Sequence, residues 1–137
     1  MGSVRQLLRG DSTTFAAFPE RTFSGLACAQ LTNPIAEWYV DVEDVARLCV
    51  IGLLDPKVQS ERIFAFAEQK HWTDTVAILR DLRPKNRSIP DAPVGIPRDN
   101  TTVHPRGRAE SLLREFYGQD GFTPIRESIS RGIEGWE

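Results

Sequence analysis

The chain has 137 residues and a mass of 15.4 kDa, with 40% apolar and 26% charged residues. That is one ordinary globular domain's worth, able to hide about two-thirds of its unfolded surface without disulfide staples. With 17 basic residues against 19 acidic ones, the net charge of −2 argues against a nucleic-acid backbone as main partner, and no 18-residue apolar run calls for a membrane span.

In chain order, Ser3 to Gly10 reads as a short helix. Ser3 and Gln6 form a capping box, Val4, Leu7 and Leu8 share a face, and Gly10 ends the turn. Asp11 to Glu37 shows no period and is punctuated by Thr, Pro, Gly and Asn, so it reads as a loop. Its length is unusual inside a compact domain. Trp38 to Val42 is an aromatic and β-branched run, hence a strand. Asp41 then caps a helix, with Asp44 three residues on completing a carboxylate box. Val45, Leu48, Cys49, Gly52 and Leu53 make one face, and Ala46, Val50, Ile51 and Leu54 add a second. A helix this apolar is expected to be buried against other layers. Asp55-Pro56 stops it.

Arg62 to Ala67 is apolar at five consecutive positions without alternation, as in a strand hidden on both faces of a parallel sheet. Thr73 is the expected cap of the next helix, with Thr75, Ile78, Leu79 and Leu82 on its core face and Pro84 at its end. Residues 84–106 hold five of the nine prolines and form an extended connector. A helix follows, striped by Ala109, Leu112, Leu113, Phe116 and Tyr117 and closed by Gly118. Thr123-Pro124 caps the last one, striped by Ile125, Ile129 and Ile133. Strand–helix–strand–helix order implies a right-handed crossover and a parallel sheet. The expected fold is therefore α/β: a partial Rossmann-like parallel sheet of two clear strands with a mainly helical C-terminal subdomain. Two strands do not make such a sheet alone, so the chain reads as part of a larger whole.

Few residues carry chemistry. Cys28 and Cys49 lack any zinc-type spacing and read as small buried hydrophobes in a reducing compartment, which places the chain in the cytoplasm. His71 and His104 have no ligand-like neighbours, so no metal site is expected. Asn86-Arg87-Ser88 and Asn100-Thr101-Thr102 match the glycosylation pattern but follow a polar start, and are expected to be unused. Glu43 and Asp44 are a carboxylate pair that a small cofactor-free isomerase or hydrolase would use, yet helix N-terminal charge explains them better.

At Tyr39-Val40-Asp41-Val42-Glu43-Asp44-Val45-Ala46 the chain closely resembles a segment of extended short-chain dehydrogenase/reductases. More narrowly, it resembles fungal epimerase/dehydratase-like aldehyde and ketone reductases akin to dihydroflavonol reductases. Leu48 to Leu54, Glu61 to Ala67, Trp72-Thr73-Asp74, Ile78 to Pro84 and Arg106 to Leu113 continue in that family's order, and Ser3 to Gly10 resembles the helix just upstream. The resemblance spans about residues 3–19 and 38–133. It implies that residues 1–137 are the C-terminal, substrate-binding region of an NAD(P)-dependent oxidoreductase acting on a small carbonyl or hydroxyl compound.

The family's cofactor half is not matched. None of the ten glycines follows a strand in dinucleotide-binding spacing. The family's proton-donating tyrosine needs a lysine four residues on, but Glu43 and Gly121 follow Tyr39 and Tyr117 at that distance. No catalytic or cofactor-binding residue is therefore assigned, no cofactor is expected for the chain alone, and the chain alone is expected to be inactive. Trp38, Tyr39 and His71, polar-tipped groups near strand ends, are the substrate-pocket candidates, with packing as their ordinary alternative. Residues 20–37 have no counterpart in the family pattern and read as an insertion, either real or a translated intron. A non-catalytic binding module is the other reading, docking through the sheet edge that missing strands would leave exposed.

Overall fold

The structure, a computed structural model, describes residues 2–15, 37–92, 94–95, 98 and 100–136. The insertion expected over 20–37 falls outside them except for Glu37, as does Cys28. Among the described residues, five helices and two short strands follow in the order α1 (Gly2–Leu8), β1 (Glu37–Tyr39), α2 (Val42–Leu54), β2 (Glu68–Lys70), α3 (Trp72–Leu82), α4 (Arg106–Tyr117) and α5 (Ile125–Gly132). A 3-10 turn occupies Ser12–Phe15. The described chain is thus α/β. It divides into one unit of residues 1–37, 70–99 and 129–137, and a second of 38–69 and 100–128.

In the second unit, α2 packs on α4. Leu48 and Ile51 meet Ala109, Leu112 and Leu113, with Val58, Ile63, Ala65 and Phe122 around them. α2 starts where expected: the Asp41 carboxylate accepts from the Glu43 N–H at 2.8 Å. It ends at Asp55, whose backbone N–H bonds the Ile51 carbonyl. α4 closes on Gly118, held at φ +67°, a left-handed backbone that glycine adopts without penalty.

The sheet differs from expectation. β1 and β2 pair antiparallel, and the second strand is Glu68–Lys70, beyond the apolar run. Residues 61–67 take no strand pairing, although the Ala67 N–H donates to the Tyr39 carbonyl at 2.8 Å. A strand buried on both faces needs neighbours on both edges to take its backbone groups. Without them, Ile63 and Ala65 pack their side chains on the α2–α4 core. Phe64 and Phe66 instead stack on each other, ring centroids 6.2 Å apart.

At the start of α5 the Thr123 N–H and hydroxyl donate to the Asp44 carboxylate, and Glu68 accepts from the Ile125 N–H at 2.6 Å. α3 is capped by His71 rather than Thr73, its Nδ1 accepting from the Thr73 N–H at 3.3 Å.

In the first unit, Val4 and Leu7 of α1 are buried, as are Trp72, Val76 and Leu79 of α3, with Ile89, Ile129 and Ile133. Arg83 donates to the Ile133 and Trp136 carbonyls at 2.9 and 3.2 Å. The Asn86 amide donates to the Leu8 carbonyl and accepts from the Ser88 N–H, both at 2.9 Å. Gly10, at φ +83°, lies so close to the Ser88 carbonyl that a Cβ would sit 3.0 Å from it.

Candidate functional site

Trp38 and Tyr39 are consecutive in β1, so their side chains leave on opposite faces. Trp38 packs edge-on against Phe66, centroids 5.9 Å apart, and the Arg106 guanidinium lies 5.8 Å from its ring centre. That cation–π distance is at the outer limit of useful attraction. Arg106 is itself held by Glu110 at 2.6 Å. The Trp38 indole Nε1 is buried and has no hydrogen-bond partner among the described residues. A buried donor left in this state costs about 1–3 kcal/mol, so an acceptor there would be well rewarded.

The Tyr39 hydroxyl lies 3.4 Å from Asp41 and hydrogen-bonds Ser128. Burial pushes its pKa up to about 12, with the Asp41 and Asp44 charges adding to the effect against the Ser128 bond. Tyr39 is thus a neutral phenol across the ordinary pH range, fit to hydrogen-bond and unfit to act as a phenolate. Beneath it runs a buried network. Asp44, fully buried, accepts from the Thr123 N–H at 2.7 Å, the Thr123 hydroxyl at 3.1 Å and the Gln119 amide at 3.0 Å. Arg47 completes it, donating to Gln119 at 2.8 Å and pairing with Glu43 at 2.5 Å. Both members of the Glu43/Asp44 pair therefore have structural partners.

His71 belongs to the other unit. It borders an open concavity of about 640 Å³ between α3 and the segment that follows it, lined also by Thr73, Val76, Arg80, Asp91 and Val94. With Nδ1 accepting from Thr73, the neutral ring carries its proton on Nε2. Arg80 is engaged by Asp91 at 2.6 Å and by the Ile89 carbonyl at 3.2 Å. Opposite charges here cancel, and nothing in the wall selects an anion.

The two described strand-to-helix turns do not fit a dinucleotide. A pyrophosphate needs bare N–H groups at a helix N-terminus reached by a glycine turn. The turn from β1 into α2 is Val40-Asp41, and the Asp41 carboxylate already occupies the helix end, with Glu43 and Asp44 in its first turn. The turn from β2 into α3 is His71. Among the described residues no cluster of three His, Cys, Asp or Glu side chains has the arrangement of a metal site. Cys49, expected to be buried, is exposed on α2. The partners of Tyr39 and Asp44 escaped sequence reasoning. Thr123 stands 79 positions from Asp44 in the chain, and no local pattern links such residues.

What this geometry defines is an α/β chain with polar-tipped aromatic groups on a short sheet. Known proteins give that class its context. The chain is 44% identical over 133 residues to a ketoreductase, adrE, of Penicillium roqueforti, covering 97% of this chain and 35% of that protein. It is 46% identical over 99 residues to ketoreductase nvfG of Aspergillus novofumigatus, covering 72% and 29%. It is 34% identical over 121 residues to an NAD-dependent epimerase/dehydratase, tndE, of Aspergillus flavipes, covering 85% and 33%. No family model matches the chain, and no solved structure gives a significant match. The resemblance to reductases read from the sequence is thereby shown: the chain is related to proteins named ketoreductase and epimerase/dehydratase. It spans about a third of the length of the curated relatives it matches.

Proposed function

We propose that the chain, residues 1–137, is the C-terminal substrate-binding region of an NAD(P)-dependent ketone reductase. The observation that carries this reading is the match of nearly the whole chain to one third of a ketoreductase. Cofactor and proton donor reside in the other two thirds. The side-chain caps at the starts of α2 and α3 and the missing Tyr/Lys spacing support that division. The chain by itself is inactive, and in the whole protein it works in the cytoplasm on a small carbonyl or hydroxyl compound. Trp38 with its unpaired indole N–H, Tyr39 with its neutral hydroxyl on the other face of β1, and His71 in the other unit are each, taken singly, candidate contacts for that compound. The apolar run of residues 62–67 joins the Rossmann-like sheet of the whole protein, which provides the neighbours its backbone needs. Residues 84–106 are the connector within this region, and 20–37 an insertion.

Two measurements test the proposal. NADPH and NADH fluorescence should be unchanged by the purified chain, and micromolar binding would overturn the division of labour. Joined behind the other two thirds of ketoreductase adrE, the chain should support NADPH oxidation with that enzyme's ketone. Trp38→Ala and Tyr39→Phe should then raise KM several-fold and leave NADPH affinity alone. A fusion that binds NADPH and reduces no ketone would refute the reading.

A further inference from the structure

α2 carries two apolar faces, and the structure uses one. Leu48 and Ile51 are buried in the α2–α4 core. The opposite side presents Val42, Ala46, Cys49, Val50 and Leu53, spaced at i, i+4, i+7, i+8 and i+11, with Leu54 at its margin. These positions form one continuous helical stripe. Val42 is 76% exposed, Val50 42%, Leu53 85% and Leu54 72%. Ala46 and Cys49 are exposed as well. Single exposed apolar residues need no explanation, but a full stripe along a three-turn helix marks a surface that is normally covered.

We infer that this outward face of α2 is the docking surface for the cofactor-binding two thirds of the reductase. The inference rests on the proposed function. Its occupant is argued from length: the relatives carry about twice as much further chain as the part matched here. A helix apolar on opposite sides requires a layer on each, and the described residues supply one. Among the polar residues of α2, Glu43 borders the stripe beside Val50 and is paired with Arg47. Asp44 and Arg47 turn to Gln119 and Thr123, so no charge has to be stripped of partners when the face is covered. The sheet edge is a poorer surface, since β1 and β2 have three residues each and offer few backbone groups.

Cys49 provides a built-in reporter, because the tryptic peptide Leu48–Lys57 contains it and no other cysteine. Its alkylation by N-ethylmaleimide is followed by mass spectrometry in the chain alone and in the fusion with the rest of ketoreductase adrE. Fast labelling is expected in the chain alone, at least tenfold slower labelling in the fusion, and fast labelling again in a fusion carrying Val50→Asp and Leu53→Asp. Equal rates in chain and fusion would overturn the inference, even in a fusion that reduces ketone and so upholds the proposed function. Slow labelling in the chain alone would also overturn it, since a second copy or the chain's own segments would then hold the face. For a fusion that does not fold, the two parts are coexpressed with a tag on this chain. The tagged chain should retain the cofactor part and Leu53→Asp should lose it. No retention by the unaltered chain, or equal retention by the variant, would overturn the assignment. Far-ultraviolet circular dichroism of Leu53→Asp should match the parent, because the residue packs on nothing in its own unit.

Discussion

Replacing Asp44 by alanine tests the energetic centre of the second unit. Asp44 is fully buried and receives three hydrogen bonds, two from Thr123 and one from Gln119. The losses are unequal. Gln119 keeps Arg47 at 2.8 Å and the Gly121 carbonyl at 3.3 Å, and the Thr123 hydroxyl can rotate toward another acceptor. The Thr123 N–H cannot turn, and it is buried. An orphaned buried donor costs about 1–3 kcal/mol. Removing a carboxylate from the first turn of α2 forfeits about 0.3–1 kcal/mol more. The void left by the side chain adds to both, for a total of about 2–4 kcal/mol against a domain stability of about 5–15. Urea unfolding followed by circular dichroism at 222 nm measures it directly. Asp44→Asn should cost roughly half as much, because its amide oxygen still accepts from Thr123. An alanine variant within about 0.5 kcal/mol of the parent, the range of ordinary surface changes, would refute the reasoning.

Glu68→Ala should destabilise by about 0.5–2 kcal/mol through loss of the cap on α5, whereas Glu68→Gln, which keeps an acceptor for the Ile125 N–H, should cost less; thermal melts of both variants check the order. In a Tyr117→Phe background, absorbance at 295 nm should show Tyr39 ionising near 12 rather than near 10. A phenol whose folded pKa is raised favours folding fully below pH 10, and that contribution is lost as pH rises toward 12; Tyr39→Phe should remove this part of the alkaline slope. The Arg98 guanidinium, bonded to both Asp74 oxygens at 2.7 and 2.8 Å, holds the Asp74 carboxyl below its ordinary 3.8. Its contribution is present above pH 3.8 and is lost as pH falls through the lowered value. Arg98→Ala should bring the titration of Asp74, read by carbon NMR, back up to the ordinary range.

Helices were legible because their signals are local. The Asp41 cap, the Asp55-Pro56 stop, the Ala109–Leu112–Leu113 stripe and the Gly118 closure all stand in the structure near the expected positions. Strands were less so. An apolar run such as Ile63 to Ala67 states that its side chains want cover, and says nothing of whether a neighbouring backbone exists to pair with it. At Thr123, which has the right residue type and place to cap α5, folding adds what no local pattern shows: the Asp44 carboxylate, a charged acceptor, takes both its donors, and Glu68 accepts from the Ile125 N–H. Tyr39 was singled out as a polar-tipped aromatic, but the burial that raises its pKa, and the nearness of Ser128, arise only on folding.

The α2 helix shows how a failed burial expectation carries information. Its pattern predicts cover on both sides, and Cys49 was read as buried on that ground. The structure buries Leu48 and Ile51 and leaves Cys49, Val50 and Leu53 in solvent. Periodicity counts the layers a helix was selected to lie between, whereas the coordinates count the layers present. For α2 the first number exceeds the second by one. The same excess appears in the apolar run at 62–67, which asks for strands on both edges and finds none among the described residues. Two independent elements thus call for surface that the described residues do not supply.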